Sequence, residues 1–295
     1  MAIGVFDGVH RGHQRILEKV KADARRHRRP AMVVTFEPHP SKVLHPKAKH
    51  SILMSLAHRL RLFERAGLDE ALVVPFNRKF SRISREFFLS KFLLERLGMR
   101  SLSIGHDFCF GRGGTGDIPY LKEQAGPLAF HLSLVQPLKS RGQIVSSTRI
   151  RHFIENGHLA QASKMLGRPV SVYGDVVRGR GRGRRLGFPT ANLNPHHETL
   201  PPSGVYAAQG YLQSPVGAHG RAPLRGVIHI GARPTFKEKD KSLEVHFFNF
   251  HKNIYGNELE LYFVSRIRGI RRFKDSQSLI RAIQRDASKA LKILS

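Results

Sequence analysis

Cysteine and long apolar runs are scarce in this sequence of 295 residues, and both absences narrow what the protein can be. A single cysteine, Cys109, excludes an internal disulfide and fits a reducing cytoplasm. No apolar run approaches the roughly 20 residues of a membrane-spanning helix, and the N-terminus carries no apolar signal region. The sequence therefore predicts a cytoplasmic protein without a membrane partner. Cys109 is interpreted as a small buried hydrophobe or a bystander beside a ligand site, not as a nucleophile.

Acidic residues are also scarce: the sequence has 22 Asp and Glu residues and 50 Lys and Arg residues, which gives a formal net charge of +28. Residues 1–150 hold 26 basic and 12 acidic residues, and residues 151–295 hold 24 and 10, so each half has an excess of +14. An even excess attracts anionic ligands, nucleotides included, and promotes nonspecific contact with nucleic acid. We favour a lineage-wide basic composition over a nucleic-acid substrate, and we expect no specific nucleic-acid partner.

The first thirteen residues carry the most informative pattern. A short apolar start leads into G-V-F-D-G-V-H-R-G-H over residues 4–13, and apolar residues then recur at helical spacing from Leu17 to Ala24. The pattern predicts a strand, a turn and a helix, with His10 and His13 at the helix N-terminus. Free N–H groups and the helix dipole favour an anion there. An imidazole on each side can hold the phosphate of a nucleotide that is attacked at its α-phosphorus.

Strands and helices alternate through the rest of the first half. Apolar runs at 31–36, 71–74, 102–105 and 128–135 predict strands. Helices are expected from 56 to 67 and, capped by Ser84, as far as Gly98. This alternation predicts an α/β domain whose parallel sheet is covered by helices on both faces, with ligands beyond the carboxyl ends of the strands.

Two polar loops follow predicted strands. Residues 105–117 join aromatic rings to glycines that permit close backbone approach to a planar ligand. Residues 146–151, S-S-T-R-I-R, place hydroxyls before a helix expected from Ile150 to Asn156. Taken alone, each segment is better explained as an ordinary turn or a plain helix cap. The hydroxyls, arginines and free N–H groups of the second segment would also suit a polyphosphate.

After residue 166 the pattern changes to short apolar runs separated by glycine-rich turns. The runs predict a compact antiparallel β-barrel. They cover residues 170–177, 204–210, 226–230, 243–250 and 259–264. A terminal helix follows, and we expect its buried stripe to consist of Leu279, Ile283, Ala287 and Leu291. The expected domains are residues 1–166 and 167–295, with a linker near residues 157–168.

The N-terminal stretch resembles the G-x-F-D-x-x-H-x-G-H signature of the nucleotidylyltransferase superfamily. Its fuller form, G-V-F-D-G-V-H-R-G-H-Q, resembles the bacterial FAD synthetases, which join a riboflavin kinase to an FMN adenylyltransferase. The resemblance implies a Rossmann-like domain that transfers AMP from ATP to FMN. The implied catalytic residues are His10, His13 and Arg149. The implied ATP-binding residues are Gly4, Phe6, Asp7, Gly8, Gly12, Ser146, Ser147 and Thr148, and the implied flavin-binding residues are Asp107, Phe108 and Gly111.

The second half resembles the riboflavin kinases of the same family. Residues 174–192 carry a glycine-rich arginine tract followed by L-G-F-P-T-A-N, like the family's flap and P-T-A-N element. The resemblance implies that Thr190 and Asn192 offer oxygen ligands to Mg²⁺ and that Glu244, in an L-E-V-H strand, takes the proton of riboflavin's terminal ribityl hydroxyl. The further residues implied to bind ATP are Gly179, Gly183 and Pro189. No G-x-x-x-x-G-K-[ST] segment is present, so a P-loop kinase is excluded.

Three features depart from the family pattern. The first strand begins almost at Met1, His229 stands where the family usually has Asn, and Gly269 and Ile270 replace a commonly acidic pair. Two alternatives stay open: a working kinase with an impaired adenylyltransferase, and a basic nucleic-acid-binding protein that uses the tract at 178–185. The implied partners are riboflavin, FMN and ATP. An oligomer is compatible with the sequence but not readable from it.

Overall fold

The computed structural model describes residues 1–48, 51–140, 142–179, 181, 183, 186–196, 199–212, 223–232 and 241–295. The chain divides into two compact units. The first contains Met1–Ile52 and Leu56–Ser147, and the second contains Leu53–Ser55 and Thr148–Ser295. Each unit is built on its own β-sheet.

A parallel β-sheet forms the centre of the first unit. Its strands are β1 (Ala2–Ile3), β2 (Met32–Glu37), β3 (Glu70–Pro75), β4 (Ser101–Gly105) and β5 (His131–Val135). They lie in the order β3-β2-β1-β4-β5, and every neighbouring pair is parallel, as predicted for an α/β domain. Because β1 lies between β2 and β4, the chain runs away from β1 in both directions, and the carboxyl ends of β1 and β4 flank a topological switch point.

Helices α1 (Arg11–His27) and α3 (Leu56–Arg65) occupy the predicted places. Two further helices, α2 (Pro40–Leu44) and α4 (Ile118–Ala125), were not predicted, and a hairpin of β6 (Lys139–Ser140) and β7 (Gln143–Ile144) follows β5. The strand predicted from residue 128 begins only at His131. Ala129 has a left-handed backbone, with φ of 50°, which no strand accommodates.

The helix predicted between Ser84 and Gly98 is present but is wound as a π-helix over Phe87–Arg96. Ser84 caps it as predicted, because its hydroxyl accepts the N–H of Phe87 at 3.1 Å. The wider winding lets Phe88 and Phe92 stack with ring centroids 5.4 Å apart. Phe88 belongs to the hydrophobic core of the sheet, so aromatic packing accompanies the unusual winding.

The second unit contains the predicted antiparallel barrel. Its strands are β8 (Ser171–Val177), β9 (Ala191–Pro195), β10 (Gly204–Leu212), β11 (Leu224–Ala232), β12 (Lys241–Phe247) and β13 (Glu258–Arg268). They close in the order β10-β11-β12-β9-β8-β13. Strand β9 was missed because Leu193 is its one buried apolar side chain, so apolar alternation could not reveal it.

The remaining α-helices of the described residues are α5 (Ser147–Glu155), α6 (Leu159–Leu166) and α7 (Ser276–Leu294), and short 3-10 helices lie at Phe80–Arg82 and Arg112–Gly114. The expected start of α5 at Ile150 was one turn late, since Ser147 and Thr148 form its first turn. None of the helices in the described ranges is long and apolar enough to cross a bilayer.

The buried stripe predicted for α7 was wrong by one position. Ala282, Asp286 and Ala290 face the barrel, whereas Leu291 is 45% exposed. The reason is an ion pair: Arg268 on β13 binds Asp286 through both carboxylate oxygens, with its nearest nitrogen at 2.7 Å. A charged residue therefore holds the centre of the buried face, which a pattern of apolar residues cannot reveal.

Candidate active sites

The turn after β1 has an uncommon backbone conformation. Phe6, Gly8 and Val9 all have positive φ, at 54°, 88° and 38°. Glycine adopts this conformation freely, but Phe and Val do so only at a cost of about 1–3 kcal/mol each. Such a turn persists only where contacts with neighbouring residues hold it in this conformation. It connects the carboxyl end of β1 directly to α1.

His10 and His13 meet at the N-terminus of α1, as predicted. His10 is the capping residue, and its Nδ1 accepts the N–H of His13 at 3.3 Å. The two rings stack with centroids 3.6 Å apart and planes 16° from parallel. Gly12 makes room for them, because a Cβ there would lie 3.2 Å from the His10 ring. The pair thus forms a polar platform at the positive end of the α1 dipole, where an anionic group is favoured.

Arg59, which was not among the predicted site residues, stabilises the turn after β1 through hydrogen bonds. Its side chain is 2% exposed, and Nη1 donates to the Val5 carbonyl oxygen at 2.7 Å and to Thr35 Oγ1 at 2.9 Å. Nη2 donates to Glu37 Oε2 at 2.6 Å. One guanidinium therefore ties the residues that follow β1 to the carboxyl end of β2.

The charge of Arg59 is balanced locally. Burial lowers the pKa of its guanidinium, and the carboxylates of Glu37 and Asp7 act in the opposite direction. Phe63, one turn further along α3, contacts Phe6 edge-on at 5.7 Å. A helical-wheel reading could have found Arg59, because it lies three residues after Leu56 and four before Phe63, on the apolar face of α3.

Ser147 joins the start of α5 to the same turn. Its hydroxyl donates to the Asp7 carbonyl oxygen at 2.8 Å, and Asp7 itself is 4% exposed. Ser146 directly precedes α5. Thr148 and Arg149 follow on the helix but fall in the second unit, so their phosphate-binding role stays a prediction.

The loop after β4 holds the implied flavin-binding residues. Phe110 exchanges two backbone hydrogen bonds with Gly116, at 2.8 and 2.9 Å, and a Cβ on Gly116 would lie 2.6 Å from the Phe110 ring. Gly111 has φ of 73° and passes so close to Arg85 that a Cβ would lie 2.9 Å from its backbone. Phe108 stacks on Phe110 at 5.7 Å. The glycines therefore let the loop fold tightly around an aromatic pair.

Two other side chains of this loop point toward solvent. Asp107 is 84% exposed at its side chain, which leaves its carboxylate accessible. Cys109 is also exposed, so the interpretation as a buried hydrophobe was wrong, and the other interpretation, a bystander beside a ligand site, stays a prediction. The physical reason is alternation: Phe108 and Phe110 turn toward the core of the unit, and the residue between them turns away.

The flap glycines of the second unit lie against the P-T-A-N segment. A Cβ on Gly179 would overlap the Asn192 amide, with the Asn192 Cγ at 2.7 Å. A Cβ on Gly183 would lie 2.9 Å from Thr190 Oγ1. Both implied Mg²⁺ ligands are therefore within contact of the flap backbone. Arg180, Arg182, Arg184 and Arg185, which the nucleic-acid alternative requires, lie outside the described residues.

Strand register places Glu244 beside Asn192. On β12, Leu243, Val245 and Phe247 are buried in the barrel, so Glu244 belongs to the opposite, outer face. Glu244 is directly opposite Asn192 on β9. Residues opposite each other on neighbouring strands share a face, with Cβ atoms about 4.5–5.5 Å apart. A carboxylate and an amide oxygen thus stand side by side next to the flap.

His246 fixes the P-T-A-N segment to β12. Its Nδ1 donates to the Pro189 carbonyl oxygen at 2.8 Å, and its ring meets Phe188 edge-on at 5.6 Å. This contact holds the backbone immediately before Thr190. The predicted ATP-binding Pro189 therefore has a defined place beside the outer face that carries Glu244.

Comparison with known proteins divides the chain in the same way. The family model described as FAD synthetase matches residues 1–149, and the one described as riboflavin kinase matches residues 166–294. Bifunctional riboflavin kinase/FMN adenylyltransferase of Escherichia coli K12 is 35% identical over 286 residues, covering 97% of this chain and 90% of that protein. The protein of the same name from Bacillus subtilis is 33% identical and covers 100% of this chain and 92% of the relative.

A solved structure agrees in fold over nearly the whole chain. It is a Streptococcus pneumoniae protein named as a macrolide-efflux protein, with a TM-score of 0.80, 30% identity, and coverage of 97% of this chain and 91% of that one. The two family models follow each other in the order of the two sites described above, and the curated relatives match over both. The chain therefore belongs to the family of bifunctional riboflavin kinase/FMN adenylyltransferases.

Proposed function

We propose that this chain converts riboflavin to FMN in its second unit and FMN to FAD in its first, using one ATP for each step. The observation that carries the proposal is the presence of two unlike sites in one chain. One is a stacked histidine pair at a helix N-terminus. The other is a glutamate in register with the asparagine of P-T-A-N.

In the kinase step, Glu244 is the base. Its carboxylate accepts the proton of the terminal ribityl hydroxyl as that oxygen bonds to the γ-phosphorus of ATP, and the bond from that phosphorus to the bridging oxygen of ADP breaks. The position of Glu244 on a rigid strand, directly across from Asn192, supports this role. The flap backbone, with Gly179 and Gly183 against the P-T-A-N side chains, would cover the phosphates.

Mg²⁺ suits the donor set of this site. Thr190 and Asn192 offer neutral oxygens, and the contacts of Gly183 and Gly179 leave no space for a Cβ beside them. Mg²⁺ binds through a few protein oxygens, waters and substrate phosphates, and does not require a cage of carboxylates. When bound it would neutralise phosphate charge, while Thr190 and Asn192 hold it beside Glu244.

In the adenylylation step, a phosphate oxygen of FMN bonds to the α-phosphorus of ATP, and the bond from that phosphorus to pyrophosphate breaks. His10 and His13 stabilise the charge that grows on the phosphate oxygens, helped by the α1 dipole. The proposal assigns Ser146, Ser147, Thr148 and Arg149 to the departing pyrophosphate. It assigns Asp107, Phe108 and Gly111 to the flavin, since the Asp107 carboxylate is exposed and the Phe108 ring, unlike that of Phe110, is only half-buried.

We also propose the domain limits 1–166 and 167–295, which the start of the riboflavin kinase match at residue 166 supports. The compact units divide earlier, at Ser147, because the rest of α5 and all of α6 lie in the second unit. A cytoplasmic location is proposed from the single cysteine, which suits a reducing compartment.

The test is a time course with riboflavin, ATP and Mg²⁺, with the flavins separated by chromatography. FMN should appear first and FAD should follow. FMN that accumulates without FAD would reject the adenylyltransferase assignment, and this is the outcome expected for an impaired first unit. The absence of both products would reject the whole proposal.

A further inference from the structure

Glu244 lies between His229 and Asn192, which are on the two strands that flank β12. Strand β11 pairs with β12 so that His229 is directly opposite Glu244, and β9 pairs with β12 so that Asn192 is opposite the same residue. Residues that pair in this way share a face of the barrel, with Cβ atoms about 4.5–5.5 Å apart. The outer face therefore carries a row of amide, carboxylate and imidazole across three strands.

The imidazole of His229 lies along β11, over Gly231. A Cβ on Gly231 would lie 2.8 Å from His229 Cε1, so the ring occupies the space that any other residue at 231 would need. Gly231 is itself buried. A glycine at this position thus allows the ring to lie close to the strand surface, where it stays beside the row.

Charged groups from three elements act on His229. Glu244 faces it from β12, Arg268 acts from β13, and Asp286 acts from α7. Desolvation is the largest influence and lowers the pKa of His229 below its ordinary 6.5, whereas Glu244 raises it. His229 is exposed on strand β11, so solvent screens each of these influences and the lowering of its pKa is weakened; the ring is neutral at pH 7.5.

We propose that His229 is a positioning residue for the kinase reaction, which through its own charge controls how strongly Glu244 attracts the proton of riboflavin's hydroxyl. The inference rests on the proposed role of Glu244 as base. A neutral imidazole leaves the carboxylate fully basic. A protonated imidazole stabilises the carboxylate and makes it a weaker base, because the positive charge favours the negative form. Kinase turnover is therefore expected to fall as His229 gains its proton.

At pH 7.5 the ring is neutral, and as the pH falls through the pKa of His229 it becomes charged next to Glu244. Wild-type turnover should then decline through the pH range in which His229 gains its proton. A charge at this distance, partly screened by solvent, should change the rate by about threefold.

The experiment measures the kcat of FMN formation by the full-length protein between pH 5 and 8.5, for wild type, His229→Asn and His229→Gln. The control is His251→Asn, which removes an exposed histidine after β12 from the same unit. The ratio of kcat at pH 7.5 to kcat at pH 5.5 should be about threefold larger in wild type and control than in either His229 variant. The KM for ATP should change little, since His229 is not assigned to ATP.

The outcomes separate this inference from the function on which it rests. A pH profile that is the same in wild type and in both His229 variants overturns the role of His229, as does higher wild-type turnover in acid. Glu244→Gln is measured in parallel. If that variant keeps wild-type kinase turnover, the base assignment fails and the inference fails with it. If it is inactive while the His229 profiles are unchanged, only the inference fails.

Discussion

The two sites of this protein are held in place by different means. The histidine site depends on a turn with three positive φ angles, and its support comes from buried polar groups such as Arg59 and Ser147. The proposed kinase site depends on the register of antiparallel strands, which places Asn192 and Glu244 opposite each other. The comparison teaches that the first site should be sensitive to residues outside it, whereas the second should respond mainly to its own side chains.

The largest effect on one activity alone is expected from replacing the Glu244 carboxylate with an amide. Glu244→Gln keeps the size and polarity of the side chain but cannot accept a proton, so kinase turnover should fall by roughly 10²–10⁴. Adenylylation of added FMN should be unchanged. The measurement is the rate of FMN formation from riboflavin beside the rate of FAD formation from FMN. A variant that makes FMN normally would remove Glu244 from the role of base.

His13 provides the reverse experiment in the first unit. His13→Ala removes one ring of the stacked pair, and the loss of one charge-stabilising group should slow adenylylation by about 10²–10³. Kinase activity should be retained. His27→Ala, at the other end of α1, is the matched control and should leave both rates unchanged. An equal loss of both activities in the His13 variant would contradict the separation into two sites.

Arg59 tests whether the first site needs its buried support. Arg59→Lys keeps the charge, but a single ammonium cannot reproduce the fork that binds Val5, Thr35 and Glu37. The turn should shift, and adenylylation should fall by about tenfold because small displacements of catalytic groups are costly. Kinase activity reports whether the remainder of the chain is folded.

The control for Arg59 is Arg65→Lys, an exposed arginine on the same helix. It should leave both activities unchanged. The positioning role would be supported if Arg59→Lys lowered the kcat for FAD formation and left the KM for ATP unchanged. A general loss of folded protein would instead lower the rates of both FAD and FMN formation. Unchanged FAD formation would show that the turn holds its shape without the guanidinium.

Sequence reasoning predicted the features that depend on local pattern. The parallel sheet, the barrel and the placement of His10 and His13 all follow from apolar periodicity, glycines and helix signals, and the structure confirms them. Leu291 was placed in a buried stripe that Asp286 occupies, because Asp286 is buried by an ion pair with Arg268 on another element. Arg59 was also not selected, although its position on the apolar face of α3 indicated burial; its partner Glu37 lies on another element.

The pairing register of the barrel strands could not be predicted from the sequence either. Glu244 and its neighbours lie on strands separated by long segments, and a shift of one residue in pairing would move Glu244 to the other face. Strand β9 gives little apolar signal. The implied roles of Asn192 and Glu244 therefore came from family resemblance, and the cross-strand neighbour His229 could be identified only from the fold.

The smallest expected effect concerns the flap. Gly179→Ala would press a methyl group against the Asn192 amide and force that side chain from its preferred rotamer. Such a displacement costs about 1 kcal/mol, or roughly fivefold in kcat/KM for ATP in the kinase reaction. Gly269→Ala is the control, because its methyl group would meet Arg266 at an ordinary 3.7 Å. If register alone fixes the site, the Gly179 variant will match this control. A selective loss would show that Asn192 also needs the flap backbone, so that the second site has external support of its own.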